Sequence, residues 1–221
     1  MRHRIEAYGY RVTEPDGRIL LPDRLATAGI SGSDVGRLQR EGRLGAVRLE
    51  DVSMRRPGRR FAFVMDTAVC DGACALADGA DLLVAFSDDD APLAGHYLHL
   101  TAGQAGAHAA AGDSGTLVLT HFSSQYDDVD LLAAQARVTA GETPVIAASD
   151  LDRIPFPRRR ARTSVQSGGT SGTLSVEWGS RSAVSGACQR QGGIFVFALA
   201  FEPASASITA LSRHVPTRYP C

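Results

Sequence analysis

Two apolar runs of strand length each end on a side chain of the metal-binding type. Arg60 to Thr67 reads RFAFVMDT and delivers Asp66, while Leu117 to Tyr126 reads LVLTHFSSQY and delivers His121. Two buried strands of this kind would bring a carboxylate and an imidazole to one edge of a sheet, where rigid backbone holds the ligands and loops shape the pocket. Asp also favours turns and helix caps, so the residue alone leaves that reading open.

The elements that must position these groups follow from the pattern around them. Phe61 to Met65 and Leu82 to Phe86 read as buried strands, as do Leu117 to Leu119 and Pro144 to Ala148. Helices are expected over Asp71 to Asp78, over Thr101 to Ala111 with Thr101 as N-cap, and over Asp128 to Val138. Strands alternating with helices describe an α/β layered sheet. Ahead of them, Arg4 to Thr13 alternates like a strand entering a hairpin at Glu14 to Gly17, with Arg18 to Leu21 returning. Short helices over Leu21 to Ala28 and Val35 to Glu41 are stopped by Gly29 and Gly42, and a strand is expected between Leu44 and Leu49. Arg55 to Arg60 then reads as a basic turn around Pro57-Gly58.

A chain of 221 residues that is 44% hydrophobic can bury a core in one domain with an appendage. Its net charge of -1 advertises neither nucleic acid nor membrane. All 23 basic residues are Arg, which binds phosphate bidentately, so local clusters still matter. No apolar run approaches the roughly 20 residues of a membrane span, and MRHRIEAYGY has no signal-type apolar core, so the expected location is cytoplasmic. Cys70, Cys74, Cys188 and Cys221 lack framework spacing; reduced, partly buried thiols are expected. After a break at Ile154 to Arg160 the composition changes: residues 161 to 221 hold only Glu177 and Glu202 against 22 acidic residues before them. The division is therefore one domain over residues 1–157 and an Arg/Ser/Gly-rich tail over 158–221, poorly ordered or foreign to that domain. Within it, Thr173 to Trp178 and Ile194 to Phe201 have strand character.

The order of the pieces EAYGYRVTEPDGR, DVGRLQREGRL, RFAFVMDT, HLTAGQA, LVLTHFSSQY and DLDRIP resembles the C-terminal half of the ribonuclease Z family over roughly residues 3 to 158. That resemblance implies an incomplete metallo-β-lactamase-like αββα sandwich. It implies a zinc-dependent endoribonuclease that cleaves precursor tRNA at its 3′ end, with two Zn2+ per site, in a homodimer. It makes Asp66 the carboxylate bridging the two zinc ions, His121 a ligand of one, and His99 of HLTA the group that protonates the leaving oxygen. Carboxylate oxygen and imidazole nitrogen are ordinary zinc donors, and an imidazole with a pKa near 6.5 suits proton donation. His96 forms an H-x2-H pair with His99 that could chelate, but the family position does not require it. With His3, His108 and His214 it is read as structural or solvent-facing.

Departures from the family pattern limit what the chain can do alone. The H-x-H-x-D-H motif and a further histidine do not occur in these 221 residues, leaving two ligands where a binuclear site wants about seven. Around Phe86, where relatives carry a short Cys-Glu insert whose Glu orients the catalytic histidine, the text runs LLVAFSDDD, so Asp88, Asp89 or Asp90 would have to substitute. Gln125 stands where relatives often place Arg, removing a phosphate contact. The expectation is a weakly active or inactive chain; the alternative is a non-catalytic fragment that retains RNA- or partner-binding surfaces.

Overall fold

A computed structural model describes residues 1–87, 91–122, 126 and 128–158, together with the backbone of three strands over 183–190, 193–201 and 206–212. The described chain forms two compact units, because Glu14–Arg59 folds on itself as an insertion between Thr13 and Arg60.

The larger unit starts with β1 (Tyr10–Thr13). The insertion holds β2 (Gly17–Leu20), α1 (Pro22–Thr27), α2 (Ser33–Glu41), β3 (Arg43–Leu44), β4 (Val47–Arg48) and β5 (Ser53–Arg56). The larger unit resumes with β6 (Arg60–Val64), α3 (Asp71–Ala77), β7 (Leu82–Phe86), α4 (Ala91–Tyr97), α5 (Ala102–Ala111), β8 (Leu117–Thr120), α6 (Val129–Thr139), β9 (Val145–Ala147) and β10 (Arg153–Pro155). The three backbone strands are β11 (Ala183–Arg190), β12 (Gly193–Phe201) and β13 (Ala206–Ser212).

The main sheet runs β1-β6-β7-β8-β9, with β1 antiparallel at its edge and the other strands parallel. Sequential parallel neighbours joined by crossovers of one hand put every crossover helix on one face. That face carries the principal core: alanines from α3, α5 and α6, such as Ala73, Ala105, Ala109 and Ala136, pack on Ala62, Val64, Leu83, Leu117 and Leu119. Small residues let the helices approach closely. At Gly106 a methyl group would stand 2.3 Å from the Ala136 carbonyl oxygen, so α5 and α6 touch backbone to backbone. Because both faces of β7 are covered, all five of its residues are buried, which explains the unbroken apolar text LLVAF. On the opposite face Phe61, Leu82, Val84 and Val118 gather with Ile154 and Phe156. The insertion has its own core of Leu25, Ile30, Leu38 and Val52.

The expected α/β sheet is present, and its strands and three of its helices fall where the periodicity placed them. The expected β1–β2 hairpin does not form. β1 pairs with β6 (Tyr10 opposite Phe63) and β2 with β5 (Leu20 opposite Ser53). The turn residues bond across rather than to each other: Glu14 N–H donates to Arg59 O at 2.8 Å, Pro15 has no N–H, and Gly58 N–H donates to Asp16 Oδ1 at 2.7 Å. Gly58 is obligatory, since a Cβ there would lie 1.7 Å from Glu14 O. The strand expected over Leu44 to Leu49 is instead a tight hairpin, because Gly45 turns with φ +61° and pairs Leu44 with Val47. The first two residues of the basic turn belong to strand β5, in which Arg55 pairs with Asp16 and Arg56 with Glu14. β10 pairs with β13, Ile154 opposite Ile208, and the expected strand Ile194 to Phe201 is β12. Thr173 to Trp178 lies outside the described residues.

Candidate functional site

Asp66 and His121 stand immediately beyond the C-terminal ends of β6 and β8, with β7 between them. The registers Val64–Ala85–Leu119 and Phe86–Thr120 extend by one or two residues to a single row, Asp66, Ser87 and His121, across the sheet edge. Ligands in open α/β sheets gather at this edge, outside the carboxyl ends of parallel strands. The backbone there is strained in a matching way: Asp66 has φ +43° and His121 φ +60°, both left-handed. Non-glycine residues held so cost about 1–3 kcal/mol each and cluster at functional sites.

His99 reaches the same place from the helical layer. Its N–H donates to Ala94 O at 2.8 Å, closing the end of α4, and the chain then starts α5 at Thr101. Thr101 accepts from Gln104 N–H, and the Gln104 side chain accepts from Thr101 N–H, a complete capping box. His99 is thereby clamped between two helix ends. Its ring lies 4.4 Å from that of Phe86, and the Phe86 ring lies 4.9 Å from His121 at 83°. Phe86 thus packs against both imidazoles. Burial holds the His121 pKa below its ordinary value; the Asp66 charge opposes that shift and the nearby His99 adds to it. Asp66 and His99 are both close enough to His121 for their charge to act on its ring.

Sequence reasoning missed two members of this neighbourhood. Ser87 is fully buried and its hydroxyl has no hydrogen-bond partner among the described residues, an orphan that costs about 1–3 kcal/mol unless something at the site engages it. The signal was the single polar residue after five apolar ones, in the row between an Asp and a His. His3, assigned to the terminus, stacks on His99 with ring centroids 5.6 Å apart and planes 4° apart.

The remaining candidates divide clearly. His96 is exposed and meets Tyr97 edge-on at 5.0 Å rather than His99. His108 is buried, its Nε2 3.7 Å from Cys74 Sγ, so it is structural. Cys70 and Cys74 are free thiols. Asp88, Asp89, Asp90, Gln125, His214 and Cys221 lie outside the described residues, and of Cys188 only the backbone is described. Among the described residues no three His, Cys, Asp or Glu side chains converge as a metal site. Asp66 and His121 supply suitable zinc donors, and Ser87 supplies an unmet hydroxyl beside them, but the set is short of the four donors a closed site needs.

Comparison with known proteins gives this arrangement a relationship. The chain is 53% identical over 162 residues to ribonuclease Z of Streptomyces avermitilis, covering 72% of this chain and 54% of that protein. It is 52% identical over 163 residues to ribonuclease Z of Streptomyces coelicolor, with the same shares covered, and 48% identical over 179 residues to that of Thermobifida fusca. The chain spans about half the length of the curated relatives it matches. Among solved structures, a metallo-beta-lactamase fold protein from Bacillus subtilis is similar at 21% identity and TM-score 0.38, covering 48% of this chain and 43% of that one. The short form of human tRNase Z is similar at 26% identity and TM-score 0.35, over 48% and 38%. No protein-family model matches the chain.

Proposed function

We propose, from its partial kinship with ribonuclease Z, that this chain is the portion of a tRNA 3′-processing endoribonuclease that supplies one wall of the active site. Asp66 and His121 are the metal-holding residues of that wall and His99 is its proton donor. The observation that supports this reading best is the pair of left-handed residues, Asp66 and His121, in one row across the ends of β6, β7 and β8. Bound zinc would activate the attacking water and stabilise the oxygens of the phosphodiester under displacement.

The chain's own residues have narrower tasks. Asp66 and His121 hold their side chains on short, strained backbone, so little reorganisation is needed when a cation is captured. Phe86 gives both imidazoles an apolar neighbour. His99, fixed by the ends of α4 and α5, hands a proton to the oxygen that leaves the phosphorus. Precursor tRNA is the substrate in this reading, the assembly a homodimer and the compartment the cytoplasm. No helix among the described residues is long and apolar enough to cross a membrane. With two metal-holding side chains in place, these 221 residues alone hold zinc weakly and cut little.

A cleavage assay tests the reading. The chain is incubated with a precursor tRNA carrying a 3′ trailer, with and without a polypeptide that bears the H-x-H-x-D-H motif. Little cleavage is expected alone, and cleavage in the mixture that vanishes with Asp66→Asn or His121→Asn. Robust cleavage that survives Asp66→Asn would overturn it.

A further inference from the structure

Beside His99 lies a cavity of about 230 Å³. One wall is Arg2 with Ala68 and Val69 from the loop after Asp66, and the other is the α4–α5 segment with Leu98 and His99. The Arg2 backbone is fixed. Its N–H donates to Thr67 Oγ1 at 2.9 Å, its carbonyl accepts from Ala68 N–H at 2.9 Å, and Thr67 is itself 1% exposed. The backbone at Arg2 is therefore stitched to the loop that follows Asp66.

The cavity's neighbourhood is basic on both sides. Arg4 crosses to the α4–α5 segment, donating to the His96 carbonyl and lying 5.7 Å from the centre of the Tyr97 ring. His3 stacks on His99. Arg2 and His99 thus bring a guanidinium and an imidazole to one opening, and none of the described residues that line it is acidic. The side chains of Thr101 and Gln104, also in the lining, accept backbone N–H groups in their reciprocal capping bonds, so they offer only neutral donors, and the charge for recognition comes from Arg2 with His99 beside it.

We infer that this cavity is an oxyanion subsite, with Arg2 as its principal charge, that takes a phosphate of the RNA adjacent to the one being cut. A guanidinium matches a phosphate's geometry through paired N–H donors, and phosphate contacts of this kind fix the register of a nucleic acid on a protein. The subsite rests on the functional reading above for its source of phosphate, but the chemistry it recognises does not depend on cleavage.

Two titrations of the full chain test it, read by backbone and side-chain nuclear magnetic resonance signals of Arg2, Ala68 and His99. With inorganic phosphate, the signals of Arg2 and Ala68 are expected to shift together. With a short single-stranded RNA, the same signals shift at lower concentration, Arg2→Ala weakens binding about tenfold, and the salt dependence of binding falls by about one phosphate contact. Arg2→Lys recovers part of the loss, while Arg153→Ala, at an exposed position on β10, changes nothing. Phosphate shifts without any RNA preference identify a free-anion site and overturn the RNA subsite. An unchanged affinity in Arg2→Ala, with its spectrum otherwise native, overturns the subsite altogether. Binding as expected but no cleavage under any condition leaves the subsite standing and removes the nuclease reading instead.

Discussion

Asp66, at φ +43°, and His121, at φ +60°, each occupy a conformation that a glycine would adopt without strain. Asp66→Gly is therefore expected to raise unfolding stability by about 1 kcal/mol in urea denaturation while removing zinc uptake. Ser87→Ala, which deletes the orphaned buried hydroxyl, should likewise be neutral or stabilising by about 1 kcal/mol; a loss above that would mean the hydroxyl is engaged in the free protein. Burial depresses the pKa of His108, so the unfolded chain binds its proton first on acidification. Stability contributed by neutral His108 is intact above about pH 6.5 and declines as pH falls through that value. His121 acts in the same direction. His108→Leu should flatten the slope of stability between about pH 6.5 and 5, measured by urea midpoints at each pH. Asp66 and His121 were legible as endings of apolar runs. Ser87, His3 and Arg2 were not, because a row across three strands and a stack between residues 3 and 99 are relations no local window contains.

At the scale of elements, the site depends on how closely the helices pack beneath it. α5 begins at the capping box that fixes His99 and runs down against α6 at Gly106. Gly106→Ala would force a methyl group to 2.3 Å from Ala136 O and 2.4 Å from Thr139 Oγ1. The cost expected is about 1–3 kcal/mol, with a displaced α5 and altered His99 ring signals; an unchanged melting point would contradict the backbone-to-backbone contact. The elements with strong local signals were readable: β6, β7 and β8 from apolar runs, α5 from Thr101 ahead of an alanine-rich run. α4 was not, since APLAGHY carries Pro and Gly and no helical apolar stripe. β5 reads SMRR and hides its strand behind exposed arginines, whose acidic partners lie some 40 residues earlier.

As a whole molecule, the larger unit presents one helical layer on a parallel sheet and gathers its candidate chemistry at one end of that sheet. The relatives are about twice as long as the part they share with it, and among the described residues no three metal-binding side chains converge. Zinc affinity measures that shortage of donors directly. In competition with a chromophoric chelator, the 221-residue chain is expected to bind zinc weakly, less than one retained ion per chain after dialysis, and Asp66→Asn or His121→Asn should weaken that binding about tenfold or more. Two tightly held ions per chain, or an affinity indifferent to Asp66→Asn, would contradict it.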